Sequence, residues 1–450
     1  MTPDVNPIEW TSAENTSRMS EEMRRIMERL FPICRSITGD GVRQSLTIMQ
    51  EYIPLEIHEV PTGTPVFDWT IPREWNIRDA YIKNSKGEKI VDFQQCNLHV
   101  VSYSAPVKGT LPLSELKKHL FTSPEHPHWV PYRTSYFKED WGFCLSHNQL
   151  LDLADGDYEV LIDSSLRNGQ LSYGELLVRG TTDQEVLISA HICHPSLAND
   201  NLSGVVLAIF LAMRLGELSP RYSYRFLFTP GTIGSITWLS LNESRVSRIK
   251  HGLILACAGD PGKITYKKSR QDNAEIDRAV RQVLKDSGDP SEVIEFSPYG
   301  YDERQFCSPG FNLPVGCFTR TPHGKFPEYH TSADNLEFVQ STFLSDSFSK
   351  CMSIFQILEE NKTYMNLNPK CEPQLGRRGL YSLMGGQTHE KVNELAMLWV
   401  LNFSDGNHSL LDIAEKSGLS FSLVQKAADK LHKHHLLEDC CSMIRGAESV

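Results

Sequence analysis

The spacing of apolar positions changes character several times along the chain. Met23, Ile26, Met27, Leu30 and Phe31 recur at helical intervals behind Ser20, so an amphipathic helix capped by Ser20 is predicted. A second helix is expected over residues 41–52. From Ile57 to about Val178 short β-type runs alternate with turn signals at Val60-Pro-Thr-Gly, Asn84-Ser-Lys-Gly, Lys108-Gly and Asp155-Gly. Within it Asn97-Leu-His-Val-Val-Ser-Tyr alternates as a half-buried strand would. Residues 57–173 therefore read as a β-rich insertion.

From Gly174 onward the texture changes again. Strands are expected at 186–190, 222–228, 252–258, 293–296 and 315–319, and helices at 202–218, 235–242, 274–285 and 338–361. Regular alternation of this kind predicts an α/β domain with a mostly parallel sheet and helices on both faces. That domain is expected to use residues 20–56 and 174–365. A turn-rich stretch from Asn366-Leu-Asn-Pro to Gly385-Gly follows. Beyond it, Ser409-Leu-Leu-Asp-Ile-Ala-Glu-Lys-Ser-Gly and residues 421–435 read as helix, Gly-containing turn and helix, with a short terminal strand as a wing. A winged-helix domain is therefore expected at 380–445.

The 450 residues are too many for one ordinary core, which agrees with this division. The net charge of −11 argues against a general attraction to nucleic acid or to an anionic membrane. No run approaches the ~20 apolar residues of a membrane helix. The first residues do not have the pattern of a signal peptide. Eleven cysteines without a Cys-x-x-Cys pair read as reduced thiols, and a cytoplasmic location is expected.

One segment concentrates chemistry: Ile188-Ser-Ala-His-Ile-Cys-His-Pro-Ser-Leu-Ala-Asn-Asp-Asn-Leu-Ser-Gly. It delivers His191 past the end of a buried strand and Asp200 at the mouth of the next helix. This is the sheet edge where α/β sites form. An imidazole and a carboxylate there suit Zn²⁺. The strand at 252–258 brings Asp260 to the same edge, and Pro327-Glu-Tyr-His places His330 before the last helix. The plain alternatives are a turn-former before Pro-Gly for Asp260 and a helix-entry hydrogen bond for His330. His-Glu-x-x-His, Gly-x-Ser-x-Gly and the phosphate-binding Gly-x-x-x-x-Gly-Lys loop are absent.

His191 with Asp200-Asn-Leu-Ser-Gly, and Tyr329-His330-Thr-Ser-Ala-Asp, resemble the signature of the co-catalytic zinc aminopeptidases. The longer strings at 191–201, 301–316 and 326–335 resemble a bacterial aminopeptidase-like family with a β-rich insertion and a C-terminal winged helix. The resemblance implies a bridging Asp200. His191 and Asp260 would complete one ion site, and His330 with a Glu the other, for one or two Zn²⁺ ions. A further Glu would be the general base, and a small peptide or aminoacyl amide the substrate.

The chain departs from that pattern where the glutamates are expected. It reads Pro230-Gly231-Thr-Ile-Gly-Ser, and no Asp or Glu occurs between Tyr222 and Leu241. Asp302 and Glu303 are the candidates to act at the reacting centre instead. His194, Arg304, His323 and Tyr329 are candidate substrate contacts, Arg304 through its planar fork. Cys193 stands where related enzymes carry an Asp that orients the metal histidine. A hydrolase of an amide or peptide bond is one reading; a repurposed, inactive scaffold is the other. The expected winged helix carries Lys426, Lys430 and Lys433 but no Arg on its second helix, which disfavours base reading. Packing, homo-oligomerisation or protein docking is the expected role.

Overall fold

The computed structural model describes residues 16–380 and 388–440. Its organising element is strand Glu185–His191, in which all seven residues are buried. A strand buried on both faces needs a partner on each edge and a helix over each face. It is the third in sequence of eight strands forming one sheet. In chain order they are β1 (Glu56–Pro61), β2 (Gln170–Val178), β3 (Glu185–His191), β4 (Ser223–Thr229), β5 (Ile249–Leu255), β6 (Ile264–Lys267), β7 (Ser291–Ile294) and β8 (Val315–Thr319). Across the sheet the order is β1-β2-β4-β3-β5-β8-β6-β7. The four central strands are parallel; β1, β2 and β6 run antiparallel to a neighbour.

Helix α1 spans Thr16–Leu30 and α2 spans Asp40–Met49. Helix α3 (Gly204–Gly216) carries the chain from β3 to β4, and α4 (Ile233–Asn242) carries it from β4 past β3 toward β5. The two crossovers run in opposite directions, so the right-handed rule puts α3 and α4 on opposite faces. The stretch Ala198–Gly216 is long and apolar enough to cross a membrane by length and composition, yet 89% of it is buried inside the protein. It is covered by the sheet on one side and by α1 on the other.

The insertion lies between β1 and β2 and is narrower than residues 57–173. Glu56–Pro61 and Gln170–Val178 pair with each other, and the latter pairs with β4, so both belong to the main sheet. Between them is a four-stranded antiparallel sheet in the order 89–92, 74–83, 157–167, 107–112. It has its own apolar core around Ile82, Leu116, Phe143 and Val160. The strand expected from Asn97 is instead a helical turn, Asn97–His99. Leu98 and His99 are both buried, which adjacent residues of a half-buried strand cannot be.

The chain divides into two compact units, one ending at Ser349 and the other formed by residues 273–290 and the chain from Lys350 onward. The second holds helix Glu275–Ser287 and a three-stranded sheet of Asp405–Ser409, Thr363–Asn366 and Leu437–Asp439. Helices Thr388–Phe403, Leu410–Ser417 and Phe421–Lys433 complete it. Ser409 and Asp412 form a capping box, Gly418 closes that helix at φ 75°, and Ser420 caps the next. Thr363–Asn366, read from sequence as the end of the α/β domain, is the middle strand here.

His251 in β5 is buried against Tyr222, with Nε2 3.2 Å from the phenol oxygen. Burial holds its imidazole down to about 3, so the folded protein keeps it neutral while the unfolded chain binds a proton near its ordinary value of about 6.5. The stability it contributes is present above about pH 6.5 and lost as pH falls toward 3. We expect the urea midpoint to drop between about pH 7 and about pH 5, and His251→Phe to flatten that drop. A variant profile as steep as the parent's would contradict this.

Candidate functional site

Strand β3 has β4 on one side and β5 on the other, so the chain leaves it in both directions and opens a crevice at the strand ends. His191 is the last residue of β3 and sits opposite Thr229 of β4. The loop after it crosses the crevice, and each polar residue of its Asn-Asp-Asn-Leu-Ser-Gly string has a task. Asn199 Oδ1 accepts from the Gly259 amide at 3.0 Å. Asn201 Nδ2 donates to Leu255 O at 2.9 Å, and its Oδ1 accepts from the Cys257 amide at 3.2 Å. Ser203 Oγ accepts from the Ala258 amide at 2.9 Å. A Cβ on Gly204 would lie 2.4 Å from Leu255 O, so only glycine allows this approach to β5. From the far end of the chain, Asp334 accepts from the amides of Asn199 at 2.6 Å and Asp200 at 2.9 Å. Burial pushes the Asp334 carboxyl up to about 8; those two amides oppose the shift and the Asp200 charge adds to it.

These contacts hold Asp200 fully buried among three imidazoles. His191 Nε2 is 2.9 Å from Oδ1, His330 Nε2 is 3.0 Å from Oδ2, and His194 Nδ1 is 3.8 Å from Oδ2. Burial alone would raise the Asp200 carboxyl, but His194, His191 and His330 outweigh it and hold it well below the usual carboxylate range. Burial pulls His191 down, and the charge and hydrogen bond of Asp200 overcome that and raise it. Burial outweighs the Asp200 charge and pushes His194 down to about 3. Its Nδ1 is buried and makes no hydrogen bond. His191, His194 and Asp200 each present a ligand atom within 4.8 Å of one another. An imidazole nitrogen left unbonded beside a carboxylate fits the N and O donor set that zinc takes.

Aromatic rings wall this cluster. Tyr301 stacks on His191 at 5.2 Å, Tyr329 stacks on His330 at 4.0 Å, and Tyr132 meets His194 and His330 edge-on at 5.2 and 5.1 Å. Tyr132 comes from the insertion, and its amide donates to His330 O at 2.7 Å. His330 itself has φ 57°, in the left-handed region.

Asp260 does not join the cluster. Asn199 Nδ2 at 3.0 Å, the Gly262 amide at 2.8 Å, the Thr321 amide at 3.2 Å and the Thr321 hydroxyl engage both its oxygens. The chain turns at Asp260-Pro-Gly, and the carboxylate serves that turn.

Gly231 abuts the cluster. A Cβ there would lie 3.2 Å from His191 Cβ and 3.6 Å from Asp302 Oδ1. The Asp302 carboxylate therefore lies beside the position where a side chain at residue 231 would begin. Ser235 Oγ donates to Asp302 Oδ1 at 3.0 Å, while Oδ2 is buried without a hydrogen bond. Burial pushes Asp302 up to about 6, against the pull of His191 and Ser235.

Glu303 faces elsewhere. It is fully buried and paired with Lys267, whose ammonium also donates to Ser297 O at 3.2 Å and Tyr299 O at 2.9 Å. Its charge is thereby matched by Lys267, while both its carboxylate oxygens are buried without a hydrogen bond. Arg304 makes no ion pair among the described residues, and its Nε is buried without a hydrogen bond. His323 lies among Tyr299, Tyr301 and Tyr329 at 5.6, 5.2 and 6.3 Å. Cys193 reaches only Gly231 O, at 3.8 Å; Asn201 Nδ2, at 3.3 Å, is the group beside His191 Nδ1. Sequence reasoning missed the roles of Asn199, Asn201, Tyr301 and Asp334, although all four lie in the strings that carry the resemblance. Tyr132 had no signal.

A Clostridium acetobutylicum protein provisionally named a polysaccharide biosynthesis protein with aminopeptidase-like domain is 54% identical over 425 residues, covering 94% of this chain and 98% of that one. A crystal structure of a provisionally assigned peptidase from the same organism superposes with a TM-score of 0.90 at 52% identity, over 95% of this chain and 98% of that one. A zinc aminopeptidase from Bacillus subtilis has a TM-score of 0.56 at 13% identity, over 75% of this chain and 94% of that one. A peptidase M28 precursor from Shewanella amazonensis has a TM-score of 0.51 at 14% identity, over 77% and 96%. These last two likenesses show the α/β fold. Residues 362–439 match a winged helix-turn-helix family. Residues 24–361 match the domain of unknown function DUF4910, and the chain belongs to that family.

Proposed function

We propose that this protein is a metal-dependent hydrolase of an amide or peptide bond in a small substrate, with Asp302 in place of the glutamate that Gly231 lacks. The observation that carries this reading is the Asp302 carboxylate, 3.6 Å from where a side chain on Gly231 would begin and beside His191. His191, His194, Asp200 and His330 would hold a zinc ion. When bound, zinc supplies Lewis acidity toward the amide carbonyl and lowers the pKa of water. Asp302 Oδ2, free of other hydrogen bonds, accepts the proton of the attacking water and returns it to the leaving nitrogen. The C–N bond breaks to give a carboxylic acid and an amine. Tyr301, Tyr329 and Tyr132 keep the imidazoles in place and exclude bulk water.

The withdrawal of Asp260 and the loss at Gly231 also favour a second reading, a scaffold turned from peptides to another substrate. The provisional name of the Clostridium relative points that reading toward a polysaccharide precursor. The second unit is proposed to dock a protein partner or a second copy. Its helix Phe421–Lys433 has three lysines, no arginine and an internal Asp429. DNA binding that weakens steeply with salt would count against that role.

Metal content of protein purified without chelator is expected to be about one zinc per chain. His194→Ala and His330→Ala should lower it, and Asp260→Asn should not. No zinc, and no uptake on addition, would remove the hydrolase reading. Asp302→Asn should retain the metal and lose ~100-fold or more in kcat. In the parent, kcat/KM should rise with pH through about 6, because the proton acceptor is free only above that value. Gly231→Glu alone would crowd Asp302 and His191 and should not activate; Gly231→Glu with Asp302→Ala should recover part of the activity. Full activity in Asp302→Asn would refute its role.

A further inference from the structure

A cavity of about 550 Å³ opens at the β6, β7 and β8 edge of the sheet. It shares Tyr301 and His323 with the surroundings of the imidazole cluster, so one continuous wall leads from one to the other. The volume is that of a small-molecule site, commonly ~300–1,000 Å³.

The charges of its wall do not balance. The cations are Lys263, Lys267, Arg320 and Lys325, and the anions are Glu292 and Glu303. Both anions are matched inside the wall: Glu303 by the buried Lys267, Glu292 by Lys263 at 2.8 Å. Arg320 pairs with Asp346 at 2.7 Å and is stacked on Phe343. The ammonium of Lys325, which is exposed, has no partner among the described residues. With the other wall cations paired, Lys325 leaves the recess one positive charge in a chain of net charge −11, and a positive recess favours anions. Beside it stand rings with free faces. Tyr299 is 71% exposed and lies 5.6 Å from His323, whose ring nitrogens make no hydrogen bond within the described protein.

We infer that this cavity is the subsite for the part of the substrate beyond the scissile amide, and that it selects an anionic group, a carboxylate or a phosphate, at Lys325. The body of that portion lies against Tyr299 and His323, and the His323 ring offers it a hydrogen bond. Placing the scissile bond at the imidazole cluster rests on the hydrolase reading; the sign of the cavity does not.

Calorimetric titration of the full chain tests this with two matched pairs of probes: N-acetyl-L-glutamate against its neutral diamide, and glycerol 3-phosphate against glycerol. At least one anion should bind ten-fold or more tightly than its neutral partner, with an affinity that falls as salt rises. Which anion does so distinguishes carboxylate from phosphate. Lys325→Glu should abolish the preference and Lys325→Gln should reduce it, while Lys86→Glu, in a turn of the insertion, should leave it intact. Equal binding within both pairs, no saturable binding of either anion at millimolar concentration, or a preference untouched at Lys325 would overturn the inference. Anion binding without any amide cleavage would keep it and remove the hydrolase reading. Cleavage without an anion preference would do the reverse.

Discussion

A charged carboxylate with no exposure to water is the constraint around which the first unit is arranged. Removing an ion such as that of Asp200 from solvent costs several kcal/mol unless polar partners surround it. Here the partners arrive from the whole length of the chain: His191 and His194 from the end of β3, His330 from the approach to the last helix, and the backbone around Asp200 pinned by Asp334. The loop that carries Asp200 is tied in turn to β5 and to the turn after it by Asn199, Asn201 and Ser203. The order of small polar residues in that string is thus a set of separate structural duties.

Gly231 and Asp302 lie far apart in sequence and close together beside His191. The segment after β4 carries no carboxylate, and that of Asp302 lies beside Gly231. Ser235, in the first turn of α4, holds that carboxylate by a hydrogen bond. The imidazole cluster meanwhile keeps its aromatic walls. Asp260 shows the opposite case: a carboxylate kept at the strand end, with its oxygens given over to the turn.

How much of this was legible follows from the range of each interaction. The period of apolar residues is local, so the buried strand β3, the helices around it and the helix-turn-helix were readable from sequence, as were His191, Asp200 and His330 at strand and loop ends. The same local logic put Asp260 with them, because a strand end gives a residue's position and not the direction of its side chain. It put a strand at Asn97, where alternation of residue type did not match alternation of burial. It set the insertion's borders inside β1 and β2, since a strand's choice of partner is not written in its own residues. Tyr132 was invisible for the same reason: nothing near it in sequence speaks of histidines at 194 and 330.

The contact of the insertion with the loop after His330 has a consequence for assembly. Val130 and Ser332 exchange hydrogen bonds across 202 residues of chain, and the neighbouring Tyr132 amide holds His330. Contacts that close such long loops form only after the segments between them are compact. The contact between residues 130–132 and 330–332 therefore joins the insertion to the loop that presents the third imidazole. It acts as a clamp on that loop, so the three imidazoles stand together only where the insertion and the stretch after β8 have met.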